Sequence, residues 1–131
     1  MLVQNPNIIF SGIGGQKMID VGLESIEDIQ KMAVMGFVEI IRHISFFHNL
    51  TNKVLDEIDN CQPLKIILID YPGFNLRLAK KIKERFNILI TYYISPQIWA
   101  WKENRIEIIR KYINQMLVIF PFEENWYKKR D

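Results

Sequence analysis

The fold is decided by one stretch of the chain, KIILIDYPGFN at residues 65–75. Apolar residues run without interruption into Asp70, and a Pro-Gly pair then separates them from a helical pattern. Such a run predicts a strand buried on both faces, as in parallel sheets. These sheets bind ligands beyond the carboxyl ends of their strands, which is where Asp70 stands. Two roles stay open for its carboxylate: contact with a substrate, or a cap for a helix that begins near Phe74.

Strand and helix patterns alternate along the rest of the chain. Strands are predicted at residues 8–10, 65–69, 87–94 and 115–120, and a short extended segment at 23–26. Helices are predicted at residues 16–21, 33–47, 50–60, 75–86 and 103–112, and from Pro121 onward. The glycines at 12–15 predict a tight turn between the first strand and the first helix. This alternation predicts an α/β fold: a Rossmann-like, three-layer, mostly parallel sheet with helices on both faces.

Length and composition limit the class of protein. A chain of 131 residues, 49% of them hydrophobic, predicts one globular domain with a real core. No apolar run reaches the roughly 18 residues of a membrane-spanning helix, and the first residues do not resemble an export signal. The single cysteine, Cys61, fits a reducing cytoplasm. His43 and His48 lack the spacing of paired metal ligands on a helix, so we predict neither a metal site nor a cofactor.

Charge is unevenly distributed along the chain. The net charge is +2, yet the first 76 residues are net acidic and the remainder is net basic. A basic half could face phosphates, acidic lipids or nucleic acid, or could simply form solvated helix faces. The aromatic residues cluster in one loop instead of alternating with Lys and Arg, so nucleic-acid binding is disfavoured.

Two further segments leave alternatives open. Residues 33–47 are apolar over more than one helical stripe, which suits either a buried core helix or a helix docked on a partner or bilayer surface. Residues 95–102, SPQIWAWK, place two tryptophans directly after a buried strand. The tryptophans could form a wall for a sugar ring or acyl chain, or could cover the edge of the sheet.

Five motifs, taken together and in order, resemble the lipid-A-disaccharide synthases, inverting glycosyltransferases of the two-domain GT-B type. The motifs are GIGG at 12–15 with Met18, MAVMGFVE at 32–39, IDYPGFN at 69–75, YYISPQIWAW at 92–101, and FPFE at 120–123 with Tyr127. They extend over nearly the whole chain at the spacing of the family.

The resemblance implies a reaction. A 2,3-diacylglucosamine unit is transferred from its UDP derivative to 2,3-diacylglucosamine 1-phosphate, with release of UDP and without a metal. An inverting transfer needs a base that takes the proton of the attacking hydroxyl, and the resemblance implies that role for Asp70. The residues implied in substrate binding are Gly14, Gly15, Tyr93, Ser95, Gln97, Trp99 and Trp101.

The resemblance also gives the apolar segment a second meaning, as a surface that docks on the cytoplasmic face of the inner membrane, where acylated substrates enter. The implied docking residues are Val38, Ile40, Ile41, Ile44 and Phe47. The neighbouring cations Arg42 and Lys53 could meet acidic headgroups.

The similarity corresponds to part of a GT-B enzyme, its N-terminal, acceptor-side domain. The first strand of that domain, with its Ser-Gly-Glu-x-Ser-Gly-Asp turn, and the C-terminal nucleotide-sugar domain have no counterpart in residues 1–131. A sheet without its first strand exposes pairing edges. We therefore expect the chain to be poorly stable and inactive alone, unless a complementary C-terminal fragment assembles with it. The alternative is a non-catalytic, membrane-associated or interaction remnant of such an enzyme.

Overall fold

The structure, a computed structural model, describes residues 7–28, 44–100 and 103–130. The chain divides into two compact units, and the boundary lies between Gln62 and Pro63. No helix within the described ranges combines the length and the apolar character needed to cross a bilayer.

The first unit contains a parallel strand pair and a long helix. Strand β1 (Phe10–Gly14) leads into the short helix α1 (Gln16–Ile19), and strand β2 (Leu23–Asp28) pairs in parallel with β1. Helix α2 (Ile44–Cys61) packs against β2. Helical spacing predicts Val54, Leu55 and Ile58 on the inner side of α2. Leu55 and Ile58 are buried, Val54 is partly buried, and Leu50 is buried as well.

The second unit is a three-stranded parallel sheet with alternating helices. Its elements are β3 (Lys65–Ile69), α3 (Pro72–Arg85), β4 (Leu89–Tyr93), a 3₁₀ turn (Glu103–Arg105) with α4 (Ile106–Tyr112), β5 (Gln115–Leu117) and α5 (Pro121–Lys128). The strand order is β3-β4-β5, and both pairings are parallel. The predicted α/β fold with parallel strands is therefore confirmed, with the described strands distributed over two sheets.

The strand at the centre of this sheet is β4, whereas the sequence predicted a strand buried on both faces at β3. Ile90, Thr91 and Tyr92 are buried in succession, whereas Ile67 and Ile69 of β3 are 42% and 44% exposed. The prediction that β3 is buried on both faces is thus wrong for one of its faces. The physical reason is position: β4 pairs on both sides, whereas β3 pairs with one neighbour among the described strands.

Three predicted boundaries are corrected. Helix α3 begins at Pro72 rather than Asn75, because proline is tolerated in the first turn, where no intrahelical hydrogen bond needs its nitrogen. The segments predicted as helices at 33–47 and 50–60 are joined, because α2 is continuous from Ile44 to Cys61 within the described residues. Residues 12–14 form the end of β1 rather than a tight turn.

The glycine in this strand serves a close approach instead. A Cβ on Gly14 would overlap the side chain of Leu23 and crowd that of Met18. The absence of a side chain at Gly14 therefore lets β2 and α1 close against β1.

Candidate functional site

Asp70 stands directly after β3, at the carboxyl end of the parallel sheet, as the sequence predicted. Its amide donates to Tyr93 O at 2.9 Å, which continues the β3–β4 pairing by one residue. Asp70 and Tyr71 then adopt left-handed backbone conformations, with φ of 48° and 43°. Such conformations are costly for residues with side chains and persist only where the surroundings impose them.

Two side chains hold this strained turn. The Asn75 amide, on the first turns of α3, donates to Ile69 O at 3.0 Å and to Asp70 O at 2.8 Å. The Tyr92 hydroxyl of β4 donates to the same Asp70 carbonyl at 2.5 Å. Asn75 is 9% exposed and Tyr92 is fully buried, so these bonds are protected from water. The backbone of Asp70 is fixed from both neighbouring elements.

The electrostatics of Tyr92 keep its hydroxyl a donor. Burial raises the pKa of Tyr92 well above its ordinary value, and the negative charge of Asp70 acts in the same direction. The nearby Arg105 opposes them without cancelling the shift. The phenol therefore stays protonated and continues to donate to Asp70 O over the whole physiological range.

The Asp70 side chain itself is not used to hold the fold. The residue is exposed, and among the described residues neither a hydrogen bond nor an ion pair involves its carboxylate. The helix-capping role that the sequence left open is not seen: α3 begins after Tyr71 without a side-chain cap. The rigid backbone thus presents, beyond the strand end, a carboxylate that no described residue binds.

A cleft of about 260 Å³ lies beside this carboxylate. We call it the strand-end cleft, and its polar lining consists of Asp70, Ser95, Gln97 and Arg105. The other described residues of its lining are Pro72, Ile94, Pro96, Ile98 and Ile119. Ile94 is a further left-handed residue, with φ of 64°. Clefts at the carboxyl edge of a parallel sheet are the usual ligand sites of such folds.

The loop that forms one wall is anchored by helix α5. The Trp99 indole donates to Glu123 Oε1 at 3.1 Å, and the Tyr127 hydroxyl donates to Pro96 O at 3.0 Å. Trp99 also meets Phe122 edge-on, with ring centroids 5.1 Å apart. Glu123 is 1% exposed, and its second oxygen accepts from the Phe120 amide at 3.2 Å. Helix α5 therefore fixes the loop from which Ser95 and Gln97 line the cleft.

Sequence reasoning missed the role of Glu123 and Tyr127 in this anchor. Glu123 suited the helix dipole from its position after Pro121, and that pattern cannot show that the carboxylate also accepts a bond from a tryptophan 24 residues earlier. The third position of a helix does signal a carboxylate that caps its own N-terminus, which is the part of its role that sequence could have indicated.

The structure brings together some of the predicted site residues and not others. Asp70, Ser95 and Gln97 line the same cleft. Tyr93 is exposed and Trp99 is held against α5, and neither lines the cleft. Gly14 is buried in β1 and Gly15 precedes α1, in the first unit. Trp101 lies outside the described residues.

The predicted docking residues are only partly described. Val38, Ile40, Ile41 and Arg42 lie outside the described residues. Ile44 is 69% exposed at the start of α2, whereas Phe47 is partly buried. The Lys53 ammonium lies 2.8 Å from the Glu27 carboxylate, so its charge is already paired within the protein.

Fold and site together define a class of protein: an α/β domain with a ligand cleft and a free carboxylate at the carboxyl edge of a parallel sheet. The family model for lipid-A-disaccharide synthetase matches residues 1–131. The chain therefore belongs to the lipid-A-disaccharide synthetase family, a family of glycosyltransferases.

Three relatives illustrate the similarity. Lipid-A-disaccharide synthase 1 of Legionella pneumophila strain Paris is 46% identical over 123 residues, which are 94% of this chain and 32% of that protein. Lipid-A-disaccharide synthase of Koribacter versatilis is 42% identical over 120 residues, 92% of this chain and 31% of that protein. The synthase of Coxiella burnetii strain Dugway is 40% identical over 126 residues, which are 96% of this chain and 33% of that protein. The chain spans about a third of the length of the curated relatives it matches.

Proposed function

We propose that this chain supplies the acceptor-activating part of a glycosyltransferase that forms the lipid A disaccharide. Its substrates are UDP-2,3-diacylglucosamine and 2,3-diacylglucosamine 1-phosphate. The observation that carries the proposal is the carboxylate of Asp70, which no described residue binds and which lies beside a cleft. Its backbone turn is strained and is held by hydrogen bonds from Asn75 and Tyr92 to Asp70 O. Family membership supplies the reaction, and the turn supplies a physical reason for an aspartate at this position.

In this proposal Asp70 acts as general base. Its carboxylate takes the proton of the acceptor hydroxyl while the hydroxyl oxygen forms a bond to the anomeric carbon of the donor. The bond from that carbon to UDP breaks, and the electron pair leaves with the UDP oxygen. A base contributes only if it is within hydrogen-bond reach of the proton, so a fixed backbone at Asp70 favours the reaction.

The remaining two thirds of such an enzyme are required for the donor. We propose that a segment corresponding to the nucleotide-sugar domain of the relatives completes the active site. We further propose a location at the cytoplasmic face of the inner membrane. The exposed Ile44 at the start of α2 supports this docking, because an exposed isoleucine next to an apolar sequence segment is suited to an interface.

An exchange of segments tests the function. The matching 123 residues of this chain replace their counterpart in the Legionella lipid-A-disaccharide synthase 1, and disaccharide formation is measured with both substrates. We expect the chimera to form the disaccharide. A well-folded chimera that binds the donor but forms no disaccharide would contradict the proposal and favour a non-catalytic remnant. The unmodified synthase is the positive control.

A further inference from the structure

Among the described residues that line the strand-end cleft, Arg105 is the cation. It ends the 3₁₀ turn before α4, is partly buried and lines the cleft. Arg110 and Arg130 pair with Glu107 and Glu103, whereas no hydrogen bond or ion pair holds the guanidinium of Arg105 among the described residues. A partly desolvated guanidinium without a protein anion is suited to an anionic ligand.

Asp70 does not neutralise this cation, although both act on one group. The positive charge of Arg105 and the negative charge of Asp70 influence the ionisation of the Tyr92 hydroxyl in opposite directions, so both lie near it. They nevertheless form no ion pair. Within the part of the chain that the structure describes, the cleft therefore presents a carboxylate and a guanidinium that are not paired with each other or with a third residue.

Ser95 supplies an independent observation. It lines the cleft and is 4% exposed, and its buried hydroxyl has no hydrogen-bond partner among the described residues. A buried hydroxyl without a partner is costly and uncommon in native proteins. Ser95 and Arg105 line the same cleft, so a ligand that offers acceptor oxygens there would supply the partner that this hydroxyl lacks.

We propose that Arg105, assisted by Ser95, binds the phosphoryl oxygens of a sugar phosphate in the strand-end cleft. A guanidinium fork matches the oxygens of a phosphate with two parallel hydrogen bonds. The volume of about 260 Å³ is below the roughly 300–1,000 Å³ of drug-sized ligand sites, so the cleft suits one sugar phosphate headgroup rather than a disaccharide.

The placement has a consequence for the reaction, and this step rests on the proposed function. In a pyranose 1-phosphate the phosphate is attached to C1 and the 6-hydroxyl extends from the other side of the ring oxygen. With the phosphate bound at Arg105 and the base at Asp70, the acceptor would be held at two points, which would favour one of its free hydroxyls over the other. Arg105 would therefore act as a specificity-determining residue for which acceptor hydroxyl reacts.

Ligand binding to the full 131-residue chain tests the phosphate site. The probes are glucosamine 1-phosphate, glucosamine and UDP, and affinities are measured by titration calorimetry or NMR. We expect Arg105→Gln to lower the affinity for glucosamine 1-phosphate by about tenfold or more, because the phosphate loses a charge-assisted hydrogen bond. The affinity for glucosamine, which has no phosphate, should fall by less than about twofold. Arg105→Lys should lie in between, since lysine keeps the charge but not the fork. Arg77→Gln, on an exposed position of α3, is the matched control and should match the unmodified chain.

The outcomes separate the sources of the phosphate. The unmodified chain could bind UDP more tightly than glucosamine 1-phosphate and lose that UDP affinity in Arg105→Gln. That result would support a phosphoryl site at Arg105 and would assign it to the donor instead of the acceptor. The proposal is overturned if the unmodified chain binds neither phosphate probe, or if Arg105→Gln, with an unchanged circular dichroism spectrum, binds both within about twofold.

A kinetic arm distinguishes this inference from the proposed function. In the segment-exchange chimera, Arg105→Gln should raise KM for the acceptor more than it changes kcat, whereas Asp70→Asn should lower kcat. An effect of Asp70→Asn alone would leave the proposed function standing and overturn the role of Arg105. Loss of phosphate binding in Arg105→Gln, with no effect of Asp70→Asn on kcat, would support the role of Arg105 and contradict the proposed base role of Asp70.

Discussion

At the scale of single residues, the turn at Asp70 depends on partners that hold its carbonyl rather than its carboxylate. Asn75 and Tyr92 both donate to Asp70 O, and neither side chain forms a hydrogen bond with the carboxylate. The sequence showed the strand end and the aspartate, because these follow from a local apolar run. It could not show the left-handed backbone or the bond from Tyr92, since that residue is 22 positions away.

The contribution of Asn75 can be measured directly. Asn75→Ala removes the side-chain donor of Ile69 O and one of the two side-chain donors of Asp70 O, so we expect a loss of about 1–3 kcal/mol in the free energy of unfolding. Urea denaturation followed by circular dichroism measures it. Asn87→Ala, at an exposed position between α3 and β4, is the control and should change stability by less than about 0.5 kcal/mol. Equal effects of the two substitutions would contradict the role of Asn75.

The raised pKa of Tyr92 should make the stability of the folded chain sensitive to alkaline pH. Its folded-state pKa lies above its unfolded value of about 10, so its stabilising contribution is complete below pH 10. Above that pH the unfolded chain loses the proton first, and stability should fall by up to about 1.4 kcal/mol per pH unit for this group. Tyr92→Phe should reduce that slope between pH 10 and 11. Tyr93→Phe, at the exposed neighbouring position, is the control, and the same slope in both variants would exclude Tyr92 as its source.

At the scale of elements, the sequence predicted the types of helix and strand well and their burial less well. Helical spacing is local, and it predicts one apolar side for α3 that consists of Leu76, Ala79, Ile82 and Phe86. The first three are buried and Phe86 is partly buried. The apolar runs of β3 and β4 look alike, and only the pairing order shows that β4 is central. The anchor of the tryptophan loop on α5 depends on contacts between distant segments, so spacing alone could not indicate it.

The close packing of β1 against β2 depends on the absence of a side chain at Gly14. A methyl group at Gly14 would overlap Leu23 and crowd Met18, so Gly14→Ala should destabilise the protein by about 1–3 kcal/mol through overpacking. The matched control is Gly12→Ala in the same strand, where the nearest atom, Leu23 Cδ1, is 4.0 Å from the added Cβ. Urea midpoints compare the two. A larger loss at Gly12 than at Gly14 would contradict this account of the strand pair.

The start of α2 tests the proposed docking on membranes. Flotation with vesicles of phosphatidylethanolamine and phosphatidylglycerol compares the unmodified chain with the double variant Ile44→Glu and Phe47→Glu. We expect the double variant to bind several-fold less, because charged side chains do not enter the apolar part of the interface. Asn52→Glu with Asn60→Glu adds the same charge at exposed polar positions of α2 and is the control. An equal loss of vesicle binding in both double variants would indicate simple charge repulsion. Equal vesicle binding by all three proteins would contradict a docking surface at the start of α2.

At the scale of the whole molecule, the chain corresponds to about a third of its curated relatives and contains the Asp70 site within residues 63–131. If a nucleotide-sugar domain completes the enzyme, its association should also stabilise this chain, because a partner that binds only the folded state shifts the unfolding equilibrium. We expect the Tm of the chain to rise when the remaining two thirds of the Legionella synthase are added. An unchanged Tm at saturating concentration would contradict assembly between the two pieces.

The central claim is that the Asp70 carboxylate takes the proton of the acceptor hydroxyl. The most direct measurement is kcat for disaccharide formation by the segment-exchange chimera, at saturating concentrations of both substrates, with Asp70→Asn. Asparagine keeps the size of the side chain and removes its basicity, so we predict a fall of about 10²–10⁴-fold. Asp56→Asn, at an exposed position of α2, should stay within about twofold. A fall of less than about threefold for a correctly folded Asp70→Asn chimera would contradict the claim.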